Sequence, residues 1–280
     1  MRSALLSVLT LFIGIAIANA GAHDEAAIAK THADDKPVPT PAALSAPAVE
    51  VTGNVVQYGE IDGDGLTGYL ARPANVDGPL PGLIVIHEWW GLNDNIRSTA
   101  ERLAGEGFIA LAVDLYGGES ATTPKDAMRL MQALNEGSDH ANENLRQANR
   151  YLMESQASPR TGSVGWCLGG RWSLRAGLLM PDELDAVVIY YGSLTTDETE
   201  LAKLQMPILG NFADEDPIIP VDQVEAFAST LTRLGKDVDV KIYPDTKHAF
   251  SNPSGMAYQP EAAEHAWTRT LGFLRTHLVE

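Results

Sequence analysis

Leu83-Ile84-Val85-Ile86-His87 is a strand-length run without polar residues at alternate positions. Such a strand has both faces buried, and the architecture that buries both faces is a mostly parallel sheet with helices on each side. The same texture recurs at Phe108 to Leu115, Thr161 to Trp166, Ala186 to Tyr191 and Pro207 to Phe212, with a further strand at Val238 to Tyr243. Helical patterns separate these runs. Asn93, Asp94 and Asn95 offer caps for a helix to about Glu106, ended by Gly107, and Thr123-Pro124 opens another. Further helices are predicted over roughly Ala141 to Ser155, Leu168 to Leu179, Gln223 to Leu234 and Glu261 to Leu278. Ahead of the alternation, Val51 to Ile61 and Leu66 to Arg72 flank Asp62-Gly63-Asp64-Gly65, a hairpin signal. The expected class is α/β, with right-handed crossovers and function gathered at the carboxyl ends of the strands.

Met1 to Ala20 has another texture. Arg2 precedes an apolar stretch from Ala4 to Ile17, and Ala18-Asn19-Ala20 forms an A-x-A cleavage site. This describes a secretory signal peptide over residues 1–20, removed to leave an exported protein, periplasmic if the source is Gram-negative. Residues 21–50, rich in Ala, Pro, Asp, Lys and His, lack an apolar period and read as a linker or disordered arm; His23 and His32 could touch a metal there, but a solvated tail is the favoured reading. Residues 51–280 form one domain. With 20 Lys+Arg against 37 Asp+Glu the formal charge is −17, which disfavours nucleic acid and anionic lipid as partners. After leader cleavage no membrane association is expected.

The chain has one cysteine, Cys167. It cannot form an internal disulfide or a Cys-rich metal site, so in an exported protein it is either a small buried hydrophobe or a working thiol. Its setting favours the second. Gly165-Trp166-Cys167-Leu168-Gly169-Gly170 lies between a predicted strand and a predicted helix, the pattern of a nucleophile elbow with Cys in the Ser place. The flanking glycines let the strand and helix pass closely, and the helix N-terminus favours a thiolate.

A thiol needs a base, and in this kind of fold the acid and the histidine follow the nucleophile along the chain. His248 lies in the loop after Val238–Tyr243, and Asp214, Glu215 and Asp216 lie in the loop after Pro207–Phe212. His248 would take the thiol proton and later activate water, while one of the three acids would orient its ring. His87-Glu88-Trp89-Trp90-Gly91 begins like a zinc-protease motif, but Gly91 stands where the second His belongs, and the segment ends a strand. In an α/β-hydrolase this loop supplies one oxyanion-hole amide and the residue after the nucleophile the other, making the backbone N–H groups of Trp89 and Leu168 the candidates.

H-E-W-W-G-L-N at 87–93, D-L-Y-G-G at 114–118, G-W-C-L-G-G at 165–170, E-D-P-I-I-P at 215–220 and H-A-F at 248–250 together resemble the dienelactone hydrolases, carboxymethylenebutenolidase-like α/β-hydrolases. The resemblance covers about Val51 to Glu280. It implies a Cys167–His248–Asp216 triad, with Asp216 selected by its place four residues before Pro220. It also implies that Glu88 interacts with the resting thiol and helps generate the thiolate. The family's two carboxylate-gripping arginines match Gly118 and Asn252 here, and Arg171, on the elbow helix, matches neither. Gly or Asn does not replace a bidentate Arg contact, which puts dienelactone itself in doubt. Trp90, Tyr116, Tyr191 and Asn252 are the candidate pocket residues, with a place in the core an equal alternative for the three aromatics.

These features lead to an expected hydrolase that cleaves small esters or lactones through a Cys acyl-enzyme, with no metal or organic cofactor. The competing reading is a non-catalytic binding protein that retains the fold; a binding role makes no demand for Cys, His and Asp together.

Overall fold

The computed structural model describes residues 28, 30–35 and 37–280. The leader reading at 1–20 and the reading of His23 lie outside the described residues. No helix among those described is long and apolar enough to cross a membrane.

An eight-stranded sheet runs in the order β1-β2-β4-β3-β5-β6-β7-β8. The strands are β1 (Val51–Ile61), β2 (Asp64–Pro73), β3 (Gly82–Ile86), β4 (Ile109–Val113), β5 (Thr161–Trp166), β6 (Ala186–Tyr190), β7 (Ile208–Ala213) and β8 (Val238–Tyr243). β1 and β2 form the antiparallel hairpin, β2 pairs antiparallel with β4, and every pairing from β4 through β8 is parallel. The helices are α1 (Asp94–Gly105), α2 (Pro124–Glu136), α3 (Ser138–Arg150), α4 (Leu168–Leu179), α5 (Glu198–Leu201), α6 (Val221–Arg233) and α7 (Pro260–Leu278). Asn93 caps α1 through a bond from the Ile96 N–H, and Thr123 caps α2 with Pro124 following it. This is the α/β-hydrolase fold.

Two apolar clusters occupy the two faces of the sheet. Leu83, Val85, Ala110 and Ala112 point to the face covered by α1 and α7, through residues such as Leu103, Ala104 and Leu274. Ile84, Ile86, Leu111 and Val113 point to the other face, covered by α2, α3, α4 and α6, with Leu134, Leu145, Trp172 and Phe227. Side chains alternate along a strand, so a run apolar at every position feeds both clusters, which is why the continuous runs mark the central strands.

The chain passes from β3 to its neighbour β4 and then crosses back to β5 on the other side of β3. The direction of winding reverses between β3 and β5, and a crevice opens beyond their carboxyl ends. The loop holding Glu88 and Trp89 follows β3, and Cys167 follows β5.

Two local elements differ from expectation. The helix expected to reach Ser155 ends at Arg150 and continues as one π-helical turn, Tyr151–Ser155. The single turn α5 is too short to display a period.

The described part of the arm differs more. Ile28, His32 and Ala43 are buried. Thr40 Oγ1 donates to the Pro253 carbonyl at 2.8 Å, Ser98 Oγ donates to the Ala43 carbonyl at 2.6 Å, and the Met256 N–H donates to Asp35 Oδ1 at 3.0 Å. His32 is therefore not part of a solvated tail. The arm docks through single polar bonds to distant backbone, and such bonds leave no periodic trace in a sequence.

Candidate active site

Cys167 sits between β5 and α4 with φ 55° and ψ −117°. An L-residue holds that conformation only where its surroundings enforce it. Here the glycines do so by permitting close passage. A Cβ on Gly165 would lie 2.1 Å from the Gly169 carbonyl oxygen, and one on Gly169 would lie 2.2 Å from the Ile86 carbonyl oxygen. The obstacle in each case is backbone and cannot rotate away. Gly169→Ala must therefore push α4 off the end of β3, with an expected loss of roughly 3 kcal/mol or more, read as a lower urea midpoint at unchanged slope. The turn is further fixed by the Cys167 N–H bond to the Tyr190 carbonyl at 3.0 Å.

His248, after β8, is 1% exposed. Its Nδ1 lies 2.7 Å from Asp216 Oδ2. Asp216 is itself oriented, since its Oδ1 accepts the Ile218 and Ile219 N–H groups at 2.8 and 3.0 Å. The three acids thus separate by geometry. Asp214 spends both oxygens on the Asp245 and Thr246 N–H groups, tying the two loops together, and Glu215 is exposed. Tyr191 and Ala249 also adopt positive φ, 36° and 63°, so backbone strain gathers around the thiol.

With Nδ1 engaged by Asp216, the His248 nitrogen left for the thiol is Nε2, which is buried without another hydrogen-bond partner. Burial works against charge on this ring, but the Asp216 carboxylate and the thiolate outweigh it and raise its pKa well above the ordinary value. Burial would likewise raise the thiol; the His248 charge, then hydrogen bonding to His248 and His32, bring Cys167 down to about 6. A lowered thiol pKa means that thiolate predominates above that pH. Labelling by iodoacetamide is accordingly expected to reach half its limiting rate near pH 6, where a free thiol would titrate at about 8.5.

Glu88 is buried, and its Oε2 accepts a bond from Asn252 Nδ2 at 2.6 Å. Burial first, and then the nearby thiolate, raise its carboxyl to about 8. At neutral pH it is mostly protonated. His87 bridges backbone: its Nδ1 lies 2.6 Å from the Glu88 carbonyl, and its Nε2 accepts the Leu115 N–H at 3.2 Å. Trp89 and Leu168, the two candidate oxyanion donors, stand after β3 and at the first position of α4, where a helix leaves its N–H groups unpaired.

A cavity of about 30 Å³ adjoins the thiol, lined by Cys167, Leu168, Trp89, His248, Tyr191 and Arg171, together with Ile28, Met131, Ser193, Ile218 and Ile219. Of the expected pocket residues, Tyr191 is in place. The other three do not line the cavity. Tyr116 donates its hydroxyl to the Trp89 carbonyl at 3.1 Å and packs on His87, Trp90 packs on Trp89, and Asn252 stands behind Glu88. They hold the β3 loop in shape. Arg171, which matches no family position, does reach the cavity, one turn along the elbow helix from Cys167.

The residue whose reading the structure changes most is His32, expected in a solvated tail. It is 3% exposed, packs tilted against Trp89 at 4.7 Å between ring centres and meets His248 edge-on at 5.4 Å. A nitrogen of each imidazole and Cys167 Sγ lie within 4.8 Å of one another. Among the described residues this trio is where a soft metal ion could bind, with two imidazoles and a thiolate as donors.

The profile of the dienelactone hydrolase family matches residues 66–278. A protein of Saccharolobus solfataricus bearing a carboxymethylenebutenolidase name is 34% identical over 251 residues, covering 76% of this chain and 95% of its own. The usf protein of Aquifex pyrophilus is 35% identical over 233 residues, covering 81% and 99%. Among solved structures, a Klebsiella pneumoniae protein bearing a dienelactone hydrolase name superposes with a TM-score of 0.71 at 27% identity, covering 80% of this chain and 98% of its own.

Proposed function

The chain belongs to the dienelactone hydrolase family, and on that premise we propose that it is an exported hydrolase of small esters or lactones that works through an acyl group on Cys167. The observation that carries this reading is a lone thiol on a strained strand-to-helix turn, facing an imidazole that a buried carboxylate orients at 2.7 Å.

The thiol proton passes to His248, and the thiolate sulfur attacks the carbonyl carbon. The carbonyl oxygen becomes an oxyanion, met by the backbone N–H groups of Trp89 and Leu168; one such donor is worth about 10²–10³ in rate where it is used. The tetrahedral carbon collapses by breaking its bond to the alkoxy oxygen, which leaves with a proton given by an imidazolium. A thioester remains. Water then loses a proton to an imidazole and attacks the thioester, releasing the acid and restoring the thiolate. Asp216 keeps the His248 ring turned with Nε2 toward sulfur and stabilises its charge. Glu88, buried beside the thiol, is placed to take part in switching it between resting and reactive states.

The charged groups around the site bear on the substrate. Gly118 spends its N–H on Asp114 Oδ2, and Asn252 is bonded to Glu88, so neither offers a cation. The cation at the cavity is Arg171, whose guanidinium donates to Asn135 Oδ1 at 2.6 Å. A small ester or lactone is the expected substrate, and dienelactone tests whether Arg171 can stand in for the two arginines missing at positions 118 and 252. A panel of p-nitrophenyl, alkyl and lactone substrates, with dienelactone included, tests this. The reading fails if no ester or lactone turns over, or if a thiol blocker leaves turnover intact. Export rests on the leader pattern at residues 1–20 and is tested by the mature N-terminus found in the exported fraction.

A further inference from the structure

His32 and Asp35 form a second imidazole–carboxylate pair at the thiol. His32 Nδ1 lies 2.7 Å from Asp35 Oδ2, as His248 Nδ1 lies 2.7 Å from Asp216 Oδ2. In both pairs the imidazole is almost wholly buried. In both, Nε2 is buried without another hydrogen-bond partner and is the nitrogen left to face sulfur. Asp35 is anchored in turn, its Oδ1 accepting the Met256 N–H at 3.0 Å. The groups facing His32 are Asp35 on its own segment, Glu88 after β3, Cys167 at the elbow and His248 after β8. Burial opposes charge on His32, and the Asp35 bond and the thiol outweigh it, raising its pKa.

We propose that His32, carried to the site by the N-terminal arm and held by Asp35, is a second catalytic imidazole that delivers the proton to the departing oxygen. This rests on Cys167 being the nucleophile. One imidazole at a thiol must both hold the thiolate and move the substrate's protons; two can divide the work. His248, having taken the thiol proton, stays as imidazolium beside the thiolate. His32 imidazolium gives its Nε2 proton to the alkoxy oxygen as the carbon–oxygen bond breaks and the thioester forms. Neutral His32 then takes a proton from the water that attacks the thioester, the carbon–sulfur bond breaks, and the acid leaves. The cycle consumes one water and returns both imidazoles to their starting charge.

The same segment brings Ile28 to the cavity wall, and the remaining space holds only a few water molecules. An arm acting only as a plug would therefore be a competing outcome with the opposite sign. The test compares kcat/KM for p-nitrophenyl acetate, whose leaving group needs little protonation, with that for ethyl acetate, whose leaving group needs it. EDTA is present throughout, so that a metal shared by the trio cannot produce the difference. His32→Gln is expected to lower kcat/KM for ethyl acetate by about 10²-fold or more, the range of general acid catalysis, and that for p-nitrophenyl acetate by less than about 5-fold. Asp35→Asn should show the same asymmetry at smaller size. Equal losses on both esters, no loss, or a gain would overturn the proposal: the first would mean a structural role and the last a plug. Wild-type turnover blocked by iodoacetamide is the separate check on the nucleophile, so failure of that reading is seen before His32 is judged.

Discussion

Cys167→Ala is expected to lower kcat/KM for a reactive ester by about 10⁴-fold or more, the scale on which enzymes lose activity with their nucleophile. The fold should not suffer. Cys167 sits at a turn whose geometry is imposed by Gly165 and Gly169, and the strained φ of 55° tolerates Ala no worse than Cys. The melting temperature should stay within a few degrees, and iodoacetamide labelling should vanish with the chain's only thiol. Full activity in this variant would remove the acyl-enzyme from the mechanism. Residual turnover of the most reactive esters would not, since the oxyanion donors and a general base remain and can direct water without a covalent step.

What the sequence disclosed follows the range of the forces involved. The central strands were legible because burial on both faces demands apolar residues at every position, as at Leu83–Ile86. The elbow was legible because close passage demands glycine at fixed offsets from Cys167. Asp216 and His248 were legible as a set, since loops after parallel strands share one edge of the sheet; choosing Asp216 over Asp214 took a family resemblance, and the coordinates separate the two by what each oxygen accepts. Pocket and core were both open for Trp90 and Tyr116, because proximity in sequence to a site says nothing of side-chain direction; they pack on Trp89 and His87, outside the small cavity. His32 was misjudged. Its partners lie far along the chain, with Asp35 bonded to Met256 and Thr40 to Pro253. An arm that docks through a few such bonds has the composition of a disordered one. The motif His32-x-x-Asp35 was visible, but a histidine three residues before an aspartate acquires meaning only beside a thiol.

The second large effect is expected from Asp216→Asn, at roughly 10³–10⁴-fold in kcat/KM, the size seen where an orienting carboxylate is neutralised. The substitution preserves shape. The Asn Oδ1 can keep both backbone bonds, from Ile218 and Ile219, so the loop should stay in place and stability should change little. What changes is the ring. Asn presents an N–H₂ donor to His248 Nδ1, which must then accept, placing the ring proton on Nε2. That nitrogen can no longer take the thiol proton. His248 also loses the carboxylate that raises its pKa, so the imidazolium that lowers the thiol disappears. With burial then dominant, the thiol moves upward from about 6. The thiolate fraction at neutral pH falls, and the sign of the pH dependence is fixed: wild-type labelling is near its plateau at pH 7, whereas the variant's should still be rising at pH 9. His32 makes this a sharper test than in a single-imidazole site, because it remains able to hold part of the thiolate. Any activity left in Asp216→Asn should therefore fall further when His32→Gln is added. If the double variant is no worse than the single, the second imidazole neither shares the thiolate nor moves the substrate's protons.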